Sequence, residues 1–195
     1  MDRRCRLLGV LAGLAVLGAG ATAALAASPL TLKARLMVHS DFPVYTRSRV
    51  VVVPTAAGWA HANPWITART LRGTGFVTAA YADLRTVAAR RRHQTSVLSI
   101  AVQFKSHYGA AVYALTFLRI QPSLIRRFVV HGVPHAYGLS SRRGGGSFYE
   151  IGWVDGPFVY DVTAFSVDPA LPPTKAQTEQ AAARWYARVH GRPAP

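Results

Sequence analysis

Of 195 residues half are hydrophobic and 16% charged, with 16 Gly and 12 Pro, which excludes a disordered or fibrous chain and suits one domain. A single Cys excludes an internal disulfide framework. The net charge is +15, with 20 Arg, 3 Lys and 8 acidic residues, so anionic partners come into question but no chemistry is specified.

Residues 1–26 read as an export signal. Arg3, Arg4 and Arg6 precede an apolar run from Leu7 that ends on Ala24-Leu25-Ala26. A basic start, an apolar centre and a small-x-small exit are the parts of a secretory signal. The alternative is an uncleaved transmembrane anchor, since about 20 apolar residues can span a bilayer. In both cases the arginines stay inside and the remaining chain goes outside, to the envelope or medium. Cys5 lies before the apolar run, so it is not placed for a lipoprotein's lipid attachment. Cleavage after Ala26 leaves residues 27–195, a cysteine-free domain of 169 residues with net charge +13.

Thr31–Val53 reads as two short extended pieces, the second a β-branched run stopped by Pro54. A helical stretch follows and breaks at Asn63, which precedes Pro64. A further helix is predicted over Pro64–Leu71, with Gly73 and Gly75 ending it. Phe76–Leu84 is predicted as a strand, with an exposed loop at Arg90-Arg91-Arg92-His93. Ser96–Phe104 is the strongest strand signal: Leu98, Ile100, Val102 and Phe104 share the face expected to be the more buried. Ser106 is placed to cap a helix whose inward stripe is expected at Tyr108, Ala111, Val112, Leu115 and Leu118, closed by Pro122.

Ala136–Ser140 is predicted as a short strand and Arg142–Gly146 as a flexible turn. Ser147–Val154 and Phe158–Phe165 form a hairpin about Asp155-Gly156, with a longer loop expected because Pro157 lacks an N–H. Thr174 and Gln177 form a capping box for a last helix reaching about His190, with Gly191 beyond it. No internal repeat is evident. Strand pairs that follow one another imply an α+β domain: an antiparallel sheet with helices packed on one face.

No G-x-S-x-G, H-E-x-x-H, phosphate-binding loop or complete dinucleotide fingerprint occurs, so no catalytic, cofactor-binding or metal residue is assigned and no cofactor is implied. His131 and His135 are four apart, but Gly132 and Pro134 deny them a shared helical face. His39 with Asp41, and His107, are candidate halves of an acid–base pair, without an identifiable nucleophile. Symmetric closure about Asp155-Gly156 would place Glu150 opposite Asp161. Opposed like charges are unfavourable, so a cation is expected there: an Arg from a helix or from Arg142/Arg143, or otherwise a cationic ligand or a carboxyl pair with one raised pKa. The other face of the hairpin carries Tyr149, Ile151, Trp153, Phe158, Tyr160 and Val162, expected to pack on helices. Trp59, Trp65 and Trp185 are expected to help fill that core.

The basic clusters at Arg90–Arg92, Arg126-Arg127 and Arg142-Arg143 lack the interleaved aromatics of a single-strand platform, and no nucleic acid is expected as a partner. They keep the domain soluble, or attract anionic wall polymer or lipid headgroups weakly.

The stretches GFVTAAY from Gly75, SVLSIAVQFKSHYGAA from Ser96, VHGVPHAYG from Val130, VDGPFVYDV from Val154 and PTKAQTEQAAARWYARVHGR from Pro173 resemble exported proteins of high-GC actinobacteria. More loosely, a helix after a Q-F-K-S-type strand resembles lipoprotein and kinase-sensor ectodomains. The resemblance implies export and an α+β domain, and it brings no catalytic residue. The chain departs from the lipoprotein members by lacking their lipidation motif. The functional expectation is a non-enzymatic domain binding a small ligand or envelope component. The alternatives are a basic surface for anionic polymer or headgroups, and a hydrolase-type enzyme using groups among His39, Asp41, Glu150 and Asp161.

Overall fold

A computed structural model of the chain describes residues 29–86, 95–119, 125–143, 146–168 and 172–191. The predicted export signal, the Arg90–His93 cluster, Pro122, and Gly144 and Gly145 of the predicted Arg142–Gly146 turn lie outside these residues. Among the described residues, no helix is long and apolar enough to cross a membrane.

The first element is α1 (Pro29–Arg35), where extended chain was expected. Pro29 opens its first turn, where backbone N–H groups have no intrahelical acceptor and a missing one costs nothing. Leu32 and Leu36, four apart, are both buried against the sheet. The chain continues through β1 (Tyr45–Val53), α2 (Ala56–Ala62), α3 (Ala68–Gly73), β2 (Phe76–Thr86), β3 (Thr95–Phe104) and α4 (His107–Arg119). It ends with β4 (Arg126–Phe128), β5 (Tyr137–Arg143), β6 (Gly146–Asp155), β7 (Phe158–Ser166) and α5 (Lys175–Val189). Here α3 starts later than expected, because the Thr67 hydroxyl accepts from the Thr70 N–H at 3.1 Å and sets the cap there. Residues 64–67 stay outside the helix.

The seven strands form one antiparallel sheet in the order β1-β2-β3-β7-β6-β5-β4. Two meanders, β1-β2-β3 and β4-β5-β6-β7, thus join along the β3–β7 seam. Arg142, Arg143 and Gly146, expected in a turn over Arg142–Gly146, belong instead to β5 and β6, where the two arginines pair through their backbones with Ser147 and Gly146.

The antiparallel α+β class is as expected, but the helices do not share one face. α1 and α5 pack on one side of the sheet, and α2, α3 and α4 on the other. The central strands carry apolar side chains at both odd and even positions, so each face needs its own cover. On the α5 face Trp153 stacks on Tyr160 at 5.1 Å and meets Trp185 edge-on at 4.9 Å. Trp185 donates its indole N–H to the Arg35 carbonyl at 2.6 Å, which ties α5 to the end of α1. The hairpin residues Ile151, Trp153, Phe158, Tyr160 and Val162 are buried there as expected, with Tyr149 half-buried at the margin.

In β3 the α5 face, Val97, Ser99, Ala101 and Gln103, is buried along its whole length. On the opposite face Val102 and Phe104 are buried as expected, but Leu98 and Ile100 are only half-buried, so over that part of the strand the expected face is the less buried one. Small side chains at 99 and 101 let α1 approach closely, and the Met37 N–H donates to the Ser99 hydroxyl at 3.0 Å. α4 turns differently too. Its buried stripe is Gly109, Ala110, Tyr113 and Ala114, while Tyr108 is 78% exposed. A Cβ on Gly109 would collide with the Thr74 carbonyl, so this glycine permits the crossing of α4 over the end of α3.

Candidate functional site

On the α4 side, helices α2 and α4 cover the sheet incompletely and leave a cavity of about 620 Å³. Leu98, Ile100 and Val159 form part of its floor, and Trp59, Tyr113 and Phe117 come from the helices above. The Thr55 hydroxyl caps α2 by accepting from the Gly58 N–H at 3.1 Å, which seats Trp59 inward. Its indole N–H donates to the Tyr113 hydroxyl at 3.3 Å, linking the two covering helices. Trp65, expected in the core, is 62% exposed and stands at the rim, because Pro64-Trp65 precedes the cap of α3.

Glu150 and Asp161 both lie in the wall of this cavity, 4% and 8% exposed. They share a face as expected, but they are not directly opposed. Asp155 pairs with Phe158, so the loop is the two residues Gly156-Pro157, and Glu150 faces Thr163 while Asp161 faces Gly152. Pro157 explains the difference. The fourth residue of a two-residue hairpin turn must donate its N–H, which excludes Pro there, whereas the third position needs no donor. The loop therefore moves one residue onward, with Gly156 at φ 53°. This displaces the pairing by two positions, which preserves the faces and leaves the two acids diagonal neighbours.

Their carboxyls are hydrogen-bonded to each other, and burial together with the Asp161 charge pushes Glu150 well above the usual carboxyl range. Asp161 is raised by burial too, against donors that favour its anion: Glu150, the Thr163 hydroxyl at 3.0 Å and the Tyr137 hydroxyl at 3.2 Å. Glu150 is thus the proton holder and Asp161 the anion. Burial and the neighbouring carboxyls also raise Tyr137 well above its normal range, so it remains a donor. The Tyr137 ring reaches Asp161 by lying across Gly152, where a Cβ would overlap the phenol.

The expected internal cation is not found among the described lining residues, none of which is Lys, Arg or His. Arg142 is exposed and alternates onto the α5 face with Ser140, away from the pair. The Arg143 side chain lies outside the described set. By register Arg143 is four positions along β5 from Leu139, the residue facing Glu150, which is about 13 Å.

The other candidate pairs are structural. Asp41 receives the Arg188 guanidinium at 2.7–3.0 Å and the Val38 N–H at 2.9 Å, while Arg188 also donates to the Leu36 carbonyl at 2.7 Å. This clamp docks α5 on the end of α1 and turns Asp41 away from His39, whose ring instead contacts the Tyr45 carbonyl at 3.0 Å. His107 contacts the Gly156 carbonyl at 3.1 Å. His131 and His135 are exposed in the loop before β5. No group of three or more His, Cys, Asp or Glu occurs among the described residues.

Sequence reasoning passed over Tyr113, Phe117, Tyr137, Phe148 and Phe165, which complete the cavity. The signal was the small, polar alternation in β3. Ser99 and Ala101 suit a closely packed helix, which leaves the bulkier Leu98 and Ile100 for a looser neighbour.

No protein-family model and no curated protein sequence matches the chain. Its fold is similar to that of the extracellular domain of PknH from Mycobacterium tuberculosis, with TM-score 0.57 and 14% identity, over 85% of this chain and 98% of that one. At that identity the likeness is one of fold. It agrees in part with the looser resemblance to kinase-sensor ectodomains.

Proposed function

We propose that the chain is an exported ligand-binding domain, whose site is the cavity between the sheet and helices α2 and α4. The observation that carries this reading is the cavity itself: about 620 Å³, walled by apolar and aromatic side chains, with a few polar groups gathered at Glu150 and Asp161. Small-molecule sites have this size and this ratio of apolar wall to placed polar groups. Export is supported by the sequence of residues 1–26 and by the extracellular domain that shares the fold. The basic surface gives the rival reading less support. Among the described residues, exposed arginines stand at opposite sheet edges, Arg47 and Arg49 on β1 and Arg126 and Arg127 on β4.

The test is titration with naphthalen-1-ylmethanol, a neutral aromatic probe, monitored by tryptophan fluorescence. Saturable binding that is lost in Ile100→Trp, which fills the floor of the cavity, is the expected result. Absence of binding, or binding indifferent to the filled cavity, contradicts the reading. Mass measurement of the exported product tests the leader: a chain starting at Ala27 is expected, and one retaining Met1 in the cytosol contradicts it.

A further inference from the structure

We infer that the ligand is a compact organic cation, an amine or ammonium head on an apolar body, seated with its head against Glu150 and Asp161. This rests on the binding reading above and specifies the ligand of that same site.

Three independent features converge on it. First, two acidic side chains lie together on one face of the β6–β7 hairpin, with no Lys, Arg or His among the described lining residues. Neighbouring like charges in a sheet are destabilising, and a buried anion without a counter-ion is costly. Second, Glu150 Oε1 is buried and has no hydrogen-bond partner, although Glu150 is 4% exposed and lines the cavity. An acceptor left unpaired beside an empty apolar volume is completed by a donor brought from outside. Third, the surrounding rings of Trp59, Tyr81, Tyr113, Phe117 and Tyr137 offer π faces and edges to whatever fills the space. Such rings accept an apolar body and favour a cation over an anion. An anionic ligand would meet Asp161 with no basic side chain among the described lining residues to offset it. A neutral donor would satisfy Oε1 but leave the charge of the pair unanswered.

The site has a built-in proton linkage. A bound ammonium favours ionised carboxyls, so the proton shared by Glu150 and Asp161 leaves as the cation enters. The titratable groups facing the pair are Tyr137 from β5 and Tyr113 from α4, both held protonated by burial, while α2 contributes the uncharged Trp59, and Asn63 follows at its C-cap. Cation affinity therefore rises with pH across the range in which the pair loses its proton.

The experiment compares three probes with one body at pH 7.5 and constant ionic strength: naphthalen-1-ylmethylammonium, naphthalen-1-ylmethanol and naphthalene-1-carboxylate. The ammonium is expected to bind about tenfold or more tighter than the alcohol, as for a hydrogen bond to a charged group, with the carboxylate weakest. Glu150→Gln and Asp161→Asn are expected to erase this preference. Unchanged binding of 1-methylnaphthalene, which carries no group to contact either carboxyl, shows that the cavity of those variants is intact. Calorimetry of the unsubstituted protein in buffers of different ionisation enthalpy supplies a readout independent of any variant: proton release on binding the ammonium and none on binding the alcohol. Equal affinity for ammonium and alcohol, a preference that survives both substitutions, or no proton release overturns the inference while the binding reading stands. Binding of none of the three overturns both.

Discussion

Glu150 sits where burial and a neighbouring carboxylate both oppose its ionisation, and this has a thermodynamic consequence. In the unfolded chain it loses its proton near pH 4.3, whereas in the folded protein it keeps the proton well above that. The folded state therefore binds more protons between the two values, and stability falls with rising pH by up to about 1.4 kcal/mol per pH unit in that window. Glu150→Gln removes the titrating group but keeps the shape. The variant is expected to melt above the unsubstituted protein at pH 8, with the advantage shrinking toward pH 4. Thermal melts across that range check this, and a constant difference would contradict it. Gly152→Ala addresses the partner tyrosine. The added methyl must displace the Tyr137 ring from its place beside Asp161, at a cost of about 1–3 kcal/mol, as for overpacking elsewhere. Denaturant unfolding measures the loss, and a variant as stable as the parent would show that the ring does not need this glycine.

Helix α5 is held by two devices that were unequally legible. The capping box was readable from T-x-x-Q, and it is formed: the Thr174 N–H donates to Gln177 Oε1 at 2.9 Å and the Thr174 hydroxyl accepts the Gln177 N–H at 3.3 Å. Thr174→Ala is expected to cost about 1 kcal/mol in chemical denaturation. The Arg188–Asp41 clamp was not readable, since its members are 147 residues apart and no local pattern joins them. Arg188→Leu leaves Asp41, 3% exposed at its side chain, without its counter-charge, and is expected to cost about 3 kcal/mol or more. Because the clamp lies on the α5 face, the folded variant is expected to keep its affinity for the naphthalene probes. Loss of binding at unchanged fold would show that the two faces are coupled.

Local signals carried most of the strands and the last helix, because alternation and caps are written within a few residues of where they act. The remainder depended on the sheet as an assembled object. Which face of β3 is dry follows from α1 arriving on one side and from α2 and α4 bridging the other, and neither is encoded in β3. The first helix was missed because seven residues with one buried leucine, Leu32, and a second, Leu36, just beyond the helix give little periodicity. The acid pair was found through its shared face, yet its surroundings, Tyr137 from β5 and Tyr113 from α4, came from segments that the hairpin pattern does not mention.

A seven-stranded sheet with one face sealed and the other partly open is an asymmetric scaffold. The sealed face supplies cohesion through Trp153, Tyr160 and Trp185, and the open one is free to hold a guest. The most direct check is backbone and methyl NMR of the labelled protein titrated with naphthalen-1-ylmethylammonium. Shifts concentrated at Leu98, Ile100, Tyr137, Glu150, Asp161 and Thr163 are expected. Shifts centred on α1 and α5, or scattered over the surface arginines, would contradict a binding site on the α4 side.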